Sequence, residues 1–307
     1  FAPRSFSLIA INKYEIPHVF SPELLAEAER AAKQPLGDDR EDLTHLPIVA
    51  IDPADARDHD DAIWAAPDDD PANKGGWLAV VAIADVSFYV RPGSELDREA
   101  RARGNSVYFP DRVVPMLPEI LSADVCSLKT GEDRAALVCH LTIARDGKLK
   151  AWRFSRAVVR IAANIAYEDA QAAIDVAGAS SDVTSSPCSL DPADLTRVDP
   201  ALVDGALKPL WGAWAALVKG RDAREPLDLD LPERRVVLDE KGRIMSVAPR
   251  ERLDAHRLVE DFMIAANVAA AKALEAKKAP VMYRIHEEPG REKLVALKDY
   301  LATFGVE

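Results

Sequence analysis

Short apolar runs alternate along this chain with stretches of helical spacing. Residues 46–51 and 62–66 read as two short buried strands, because each is a continuous apolar run closed off by polar residues. Residues 76–90 predict one long strand or a pair of strands. Residues 135–144 and 149–161 alternate with period two on either side of Arg145-Asp-Gly-Lys148, the pattern of a hairpin. A second hairpin is expected over 234–247, turning at Asp239-Glu-Lys-Gly242, and a last strand over 281–286.

Helices are expected between these strands. One runs from Ser21, an N-cap followed by Pro22 in the first turn, to about residue 34. Ser94-Glu-Leu-Asp97 opens another in the manner of a capping box. Further helices are predicted over 167–177, 200–223, 253–276 and 291–304. Trp211 and Trp214, on adjacent turns, read as core residues. Residues 37–42 form a polar linker, and 177–194, rich in Gly, Ser, Ala and Pro, a flexible surface loop. No internal repeat is apparent. This order of elements predicts a mixed α/β (α+β) fold, a mixed β-sheet flanked by helices.

Chemistry concentrates in one place. Asp52, Asp55, Asp58, Asp60 and Asp61 fall within ten residues, between the strands expected at 46–51 and 62–66. Carboxylates this close repel one another unless a positive charge sits among them. A hard divalent cation fits, because Mg²⁺ and Mn²⁺ prefer carboxylate and water oxygens. A solvated acidic loop is the plain alternative, and the strand flanks weigh against it.

Composition narrows the class. The 307 residues exceed the usual single-core size, and 48% apolar content suffices for a large core. Cys126, Cys139 and Cys188 show no C-x-x-C spacing, so neither a disulfide framework nor a zinc site is implied, and a reducing cytoplasm fits. No apolar run reaches transmembrane length, and no signal peptide or small organic cofactor motif is visible. The net charge of −12 argues against a nucleic-acid binder when taken alone. Bound metal at the acidic stretch would offset part of it, and net charge does not report distribution.

The string Leu46-Pro-Ile-Val-Ala-Ile-Asp52-Pro-Ala-Asp55-Ala-Arg-Asp58-His-Asp60-Asp61-Ala resembles the signature of the ribonuclease II/ribonuclease R family, the RNB-type 3′→5′ exoribonucleases. Other segments follow in family order: Ala82-Ile-Ala-Asp-Val-Ser87, Gly104-Asn-Ser-Val-Tyr-Phe-Pro110, Pro115-Met-Leu-Pro118, Leu121-Ser-Ala-Asp-Val-Cys-Ser-Leu128, His256-Arg-Leu-Val-Glu-Asp-Phe-Met-Ile-Ala-Ala-Asn267 and Tyr283-Arg-Ile-His-Glu287. The resemblance spans roughly residues 40–307 and leans toward the bacterial ribonuclease R side.

The resemblance implies hydrolysis of single-stranded RNA to nucleoside 5′-monophosphates. Two Mg²⁺ ions, with Mn²⁺ as substitute, would activate water, neutralise the phosphate and stabilise the leaving oxygen. Asp52, Asp58 and Asp61 are the expected ligands. Asp60 is either a ligand or the residue that orients the attacking water. Asp55 falls off the pattern and reads as a solvated turn residue. His59 reads as exposed or packed rather than ligating, because neighbours on an extended chain point to opposite faces, and Arg57 as a partner of the carboxylates.

Tyr108 and Tyr167 match positions where aromatic rings stack on RNA bases; a tyrosine packed on the sheet is the plain alternative. Glu260 matches a position near the terminal nucleotide. A Glu buried on an apolar helix needs a partner, so capping of the core is the competing reading. The resemblance implies the tail of an OB-fold over 1–20, a helical linker over 21–42 and the N-terminal portion of an RNB catalytic domain over 43–307. It also implies a Ser-Pro-Ile-Arg-Arg-Tyr segment and a trailing OB-fold that these residues lack, so the sequence is expected to be part of a longer chain, and the activity of the part alone is left open. A bacterial cytoplasmic location and RNA-decay factors as partners go with that reading. Two rivals stay open: an RNB-like module that binds RNA without cutting it, and a metal-dependent phosphohydrolase of small molecules.

Overall fold

The computed structural model describes residues 5–179, 197–224, 234–239, 241–249, 251–283, 285 and 287–306. Helices α1 (Ser5–Lys13) and α2 (Pro22–Ala32) come first. Strands β1 (Glu41–Asp42), β2 (Val49–Asp52), β3 (Asp61–Pro67) and β4 (Trp77–Ala84) follow. Next come α3 (Val86–Tyr89), α4 (Glu95–Arg103), the small hairpin β5 (Val107–Phe109) and β6 (Arg112–Val114), and the long hairpin β7 (Asp133–Ile143) and β8 (Leu149–Arg160). Strand β9 (Ala163–Ala166) runs directly into α5 (Tyr167–Ala179). Later elements are α6 (Lys208–Asp222), the hairpin β10 (Arg234–Leu238) and β11 (Ile244–Pro249), α7 (Asp254–Ala276) and α8 (Arg291–Ala302).

Among the described residues, seven strands form one mixed sheet in the order β1-β8-β7-β4-β3-β2-β9. The two edge pairs, β1 with β8 and β2 with β9, are parallel, and the inner pairs are antiparallel. Both faces of the sheet are covered, and strand alternation sorts the apolar side chains between them. Val49, Ile51, Ile63, Val81, Leu141 and Ile143 face one core, which holds Leu210 of α6 and Phe262 of α7. Ile48, Ala50, Ala62, Val80, Val138 and Val159 face the other, with Leu24 of α2 and Leu96 of α4. Continuous apolar runs such as 48–51 are therefore strands buried on both sides. Helix α6 lies close on β4: a Cβ at Gly212 would come within 2.4 Å of the Trp77 ring, so only glycine fits. Trp211 and Trp214 pack against this core, as expected.

The caps act as the sequence suggests. Ser21 Oγ accepts from the Leu24 amide and Ser94 Oγ from the Asp97 amide. The segment expected to be a helical linker is docked on the body. Leu24 and Ala28 are buried, and Glu41–Asp42 pair with β8. The chain divides into two compact units, Phe1–Ala269 and Ala270–Glu307. Among the described residues no helix is long and apolar enough to cross a membrane.

Some expectations fail locally. The strand expected to continue to residue 90 stops at Ala84, and Val86–Tyr89 is helical. Asp85 is the cause: its buried carboxylate accepts from Arg40, Arg156 and Ser87, and this turns the chain. The strand expected over 281–286 is not formed by the described residues there. Met282 is 99% exposed and Ile285 77%, with no ladder partner to satisfy a strand backbone. Most of the loop expected over 177–194 lies outside the described residues.

Candidate active site

The acidic residues occupy the connection from β2 to β3. Asp52 ends β2, in register with Ala166 of β9, and Asp61 begins β3, in register with Ile83 of β4. Asp55 is exposed in a turn closed by the Ala56 amide on the Pro53 carbonyl. The return limb is fixed by backbone bonds. The Leu128 amide donates to the His59 carbonyl and the Ala84 amide to the Asp60 carbonyl, each at 2.8 Å. Asp58, Asp60 and Asp61 thus sit beside the end of β2 on a backbone tied to its neighbours.

The electrostatics are those of crowded anions. Asp61 is raised from 3.8 to about 6, first by burial and then by the charges of Asp52 and Asp60. Asp60 is exposed as a residue, yet surrounding protein withdraws enough water from its carboxyl to raise it, with Asp58 and Asp52 adding to the effect. Among the described residues no three His, Cys, Asp or Glu side chains are gathered closely enough to hold an ion as they stand. The donor set nonetheless fits a hard cation in kind: every nearby acid is a carboxylate, and their mutual repulsion is what a cation relieves. His59 partly offsets the rise at both Asp60 and Asp61.

Two of the four carboxylates already have partners. His59 Nδ1 lies 2.6 Å from Asp52 Oδ2; the carboxylate can only accept, so the proton sits on Nδ1. His59 is therefore neither exposed nor mere packing, in contrast to the expectation from strand alternation. Residues 53–60 are not strand, so alternation does not govern them. Tyr108 donates its hydroxyl to Asp58 Oδ2 at 2.9 Å while its ring is 65% exposed. Burial and this bond raise the Tyr108 phenol. Arg57 is exposed and, among the described residues, forms no salt bridge with the carboxylates.

The other expected site residues lie elsewhere. Tyr167, at the start of α5, stacks on His256 of α7 with ring centroids 4.0 Å apart and planes 15° apart, so one of its faces is covered. Glu260 is exposed on α7 and paired with Arg252 at 2.6 Å. This corrects the reading of Glu260 as a buried group capping the core. Its neighbour Asp261 has that role: it is 8% exposed and accepts from Trp214 Nε1 and from Arg221, both at 2.8 Å. One residue along a helix is a rotation of about 100°, enough to exchange the exposed and buried faces.

Ser127 and Leu128, which end the family-like segment Leu121–Leu128, hold the acidic loop. Ser127 Oγ accepts from the His59 amide at 3.0 Å and donates to the Arg57 carbonyl at 3.2 Å. Nothing in the local sequence marks such a contact, which joins residues about 70 positions apart.

A family model described as "RNB domain" matches residues 40–306. Ribonuclease R of Vibrio cholerae is 38% identical over 313 residues, covering 100% of this chain and 35% of its own length. Ribonuclease R of Escherichia coli is 36% identical over 303 residues, covering 97% of this chain and 35% of its own. This chain spans about a third of the length of both relatives. The structure of Mycoplasma genitalium RNase R in complex with ribose-methylated single-stranded RNA matches with a TM-score of 0.86 and 25% identity, over 100% of this chain and 45% of that one. The family match takes in every strand of the mixed sheet and the whole acidic connection, and on it the chain belongs to the RNB domain family.

Proposed function

We propose that this chain is the N-terminal portion of the catalytic domain of a 3′→5′ exoribonuclease that hydrolyses single-stranded RNA to nucleoside 5′-monophosphates. The observation that carries the reading is the cluster of four aspartates at the β2–β3 connection of an RNB-family chain, two of them raised by burial and, after it, by the charges of their neighbours. Residues 1–20 would lead in from a preceding OB-fold, 21–42 would join it to the body, and 43–307 would belong to the catalytic domain. A bacterial cytoplasm is the proposed compartment; the relatives are bacterial, and Cys126 and Cys139 are free and buried.

Asp52, Asp58, Asp60 and Asp61 would hold Mg²⁺, with Mn²⁺ as a substitute. When bound, the metal supplies charge neutralisation on the phosphate and a more acidic water. The residues do the rest. Asp60, the most exposed of the four, would either ligate the metal or orient the attacking water. Tyr108 presents an exposed ring beside Asp58, where a base can stack without regard to sequence. Tyr167, half-buried against His256, and the exposed Glu260 are further candidate RNA contacts, Glu260 through a ribose hydroxyl. The Mycoplasma relative was solved in complex with single-stranded RNA, which supports RNA as the ligand class.

Calorimetric titration of Mg²⁺ and Mn²⁺ into the wild type and into Asp58→Asn tests the metal assignment. Binding by the wild type that is markedly weaker in Asp58→Asn is expected; equal affinity in both contradicts it.

A further inference from the structure

The acidic loop has no regular strand partner along 53–60, yet its backbone is held at the residues that flank Asp58. The holding group is one hydroxyl. Ser127 is 0% exposed, and its Oγ turns its one donor proton and one acceptor lone pair to the loop: it accepts from the His59 amide and donates to the Arg57 carbonyl. The Leu128 amide adds a bond to the His59 carbonyl. Three backbone groups around Asp58 are therefore fixed by two consecutive residues.

Those two residues are themselves anchored. The Ser127 amide donates to the Asp124 carbonyl, and the Ser127 carbonyl accepts from Arg134 Nε of β7 at 3.0 Å. The Leu128 carbonyl accepts from Asn164 Nδ2 at 2.9 Å. Asn164 lies on β9, in register with Ala50 of β2, two residues before Asp52. A continuous path of hydrogen bonds thus runs from the limb carrying Asp58 to the strand carrying Asp52. Crowded carboxylates tend to move apart, and this path opposes that movement at the backbone, where the side chains are aimed.

We propose that Ser127 is a positioning residue for this site: its buried hydroxyl sets the backbone at Asp58, and with it the spacing of Asp58 relative to Asp52. It touches neither substrate nor metal. The inference rests on the reading of the acidic cluster as a metal-dependent RNA-cleaving site. Displacements of about 1 Å at such a site lower rates by about 10²-fold, so a loss of roughly 10- to 100-fold in kcat is expected when the hydroxyl is removed, with KM for RNA changed less than about threefold.

The test compares Ser127→Ala, Ser127→Thr and Ile143→Ala in the whole protein that carries this chain. Ile143 is fully buried at the far end of β7, so Ile143→Ala serves as a control for general destabilisation. Each is measured for kcat and KM on poly(A), for Mn²⁺ affinity, for thermal unfolding and for hydrogen exchange at the His59 amide. The expected result is that Ser127→Ala loses kcat and Mn²⁺ affinity and exchanges the His59 amide about tenfold faster. Ser127→Thr, which keeps the hydroxyl, recovers part of each, and Ile143→Ala melts lower with unchanged kcat and His59 exchange. Ser127→Ala with kcat and His59 exchange like the wild type overturns the proposal. So does a kcat loss matched by Ile143→Ala at equal loss of melting temperature. If the wild type cleaves no RNA, the functional reading fails. The positioning role is then judged by Mn²⁺ affinity and His59 exchange, and falls if neither responds to Ser127→Ala.

Discussion

Removing the Asp61 charge is expected to stabilise the metal-free protein at neutral pH. Burial, with Asp52 and Asp60 nearby, lifts Asp61 from 3.8 to about 6. The folded state therefore holds the Asp61 proton more tightly than the unfolded chain. The stability this contributes is fully present below the unfolded value of 3.8 and is lost as pH rises through about 6. At pH 7.5 Asp61 is ionised in both states and its repulsion is fully felt. At ~1.4 kcal/mol per pKa unit the penalty has an upper limit near 3 kcal/mol. Asp61→Asn keeps the shape and never ionises, so it should gain ~2 kcal/mol at pH 7.5, a rise in melting temperature of ~5 °C. At pH 4.5 the wild-type group is already protonated in the folded protein, and the advantage should shrink to under ~1 kcal/mol. Thermal unfolding followed by circular dichroism in chelator, at both pH values, measures this. Added Mg²⁺ should then raise the melting temperature of the wild type but not of the variant. An Asp61→Asn protein that melts at or below the wild type in chelator at pH 7.5, or an advantage that does not change with pH, refutes the reasoning.

Three more substitutions have outcomes set by the structure. Tyr108→Ala should enlarge the final undigested oligonucleotide, because short products lose a larger share of their contacts; an end-product ladder identical to the wild type would leave Tyr108 only its bond to Asp58. Asp261→Ala leaves Trp214 Nε1 and Arg221 without their shared acceptor and should destabilise by ~2–4 kcal/mol in chemical denaturation, whereas Glu260→Ala, removing an exposed pair, should cost under ~1 kcal/mol.

Much of the architecture was legible in the chain because its signals are local. Ser21 and Ser94 cap their helices, the 133–160 hairpin shows its alternation, and the carboxylates fall between two buried apolar runs. What escaped depends on contacts between distant residues or on small errors of phase. His59 meets Asp52 because the chain folds back, which alternation along an extended segment cannot foresee. Asp261 rather than Glu260 is buried, a difference of one position on α7. The apolar continuity through Val86–Tyr89 has the pattern of a strand, but Asp85 is held by Arg40, ahead of β1, and by Arg156 of β8, and β4 ends before it. Tyr108 was singled out as an RNA contact, and its bond to Asp58 was not visible from spacing. Ser127 carries no sequence signal beyond its place in a family-like segment.

The β2–β3 aspartates are proposed to cleave RNA from its 3′ end. The most direct test is single-turnover digestion of 5′-labelled poly(A) with Mg²⁺ by the whole protein that carries this chain, wild type beside Asp60→Asn, with RNA affinity measured in parallel. The account predicts stepwise shortening from the 3′ end with release of nucleoside 5′-monophosphate, slowed on the order of 10²-fold or more in Asp60→Asn while RNA affinity stays within a few-fold. Internal cuts, or an Asp60→Asn protein that digests within a few-fold of the wild-type rate, would contradict it.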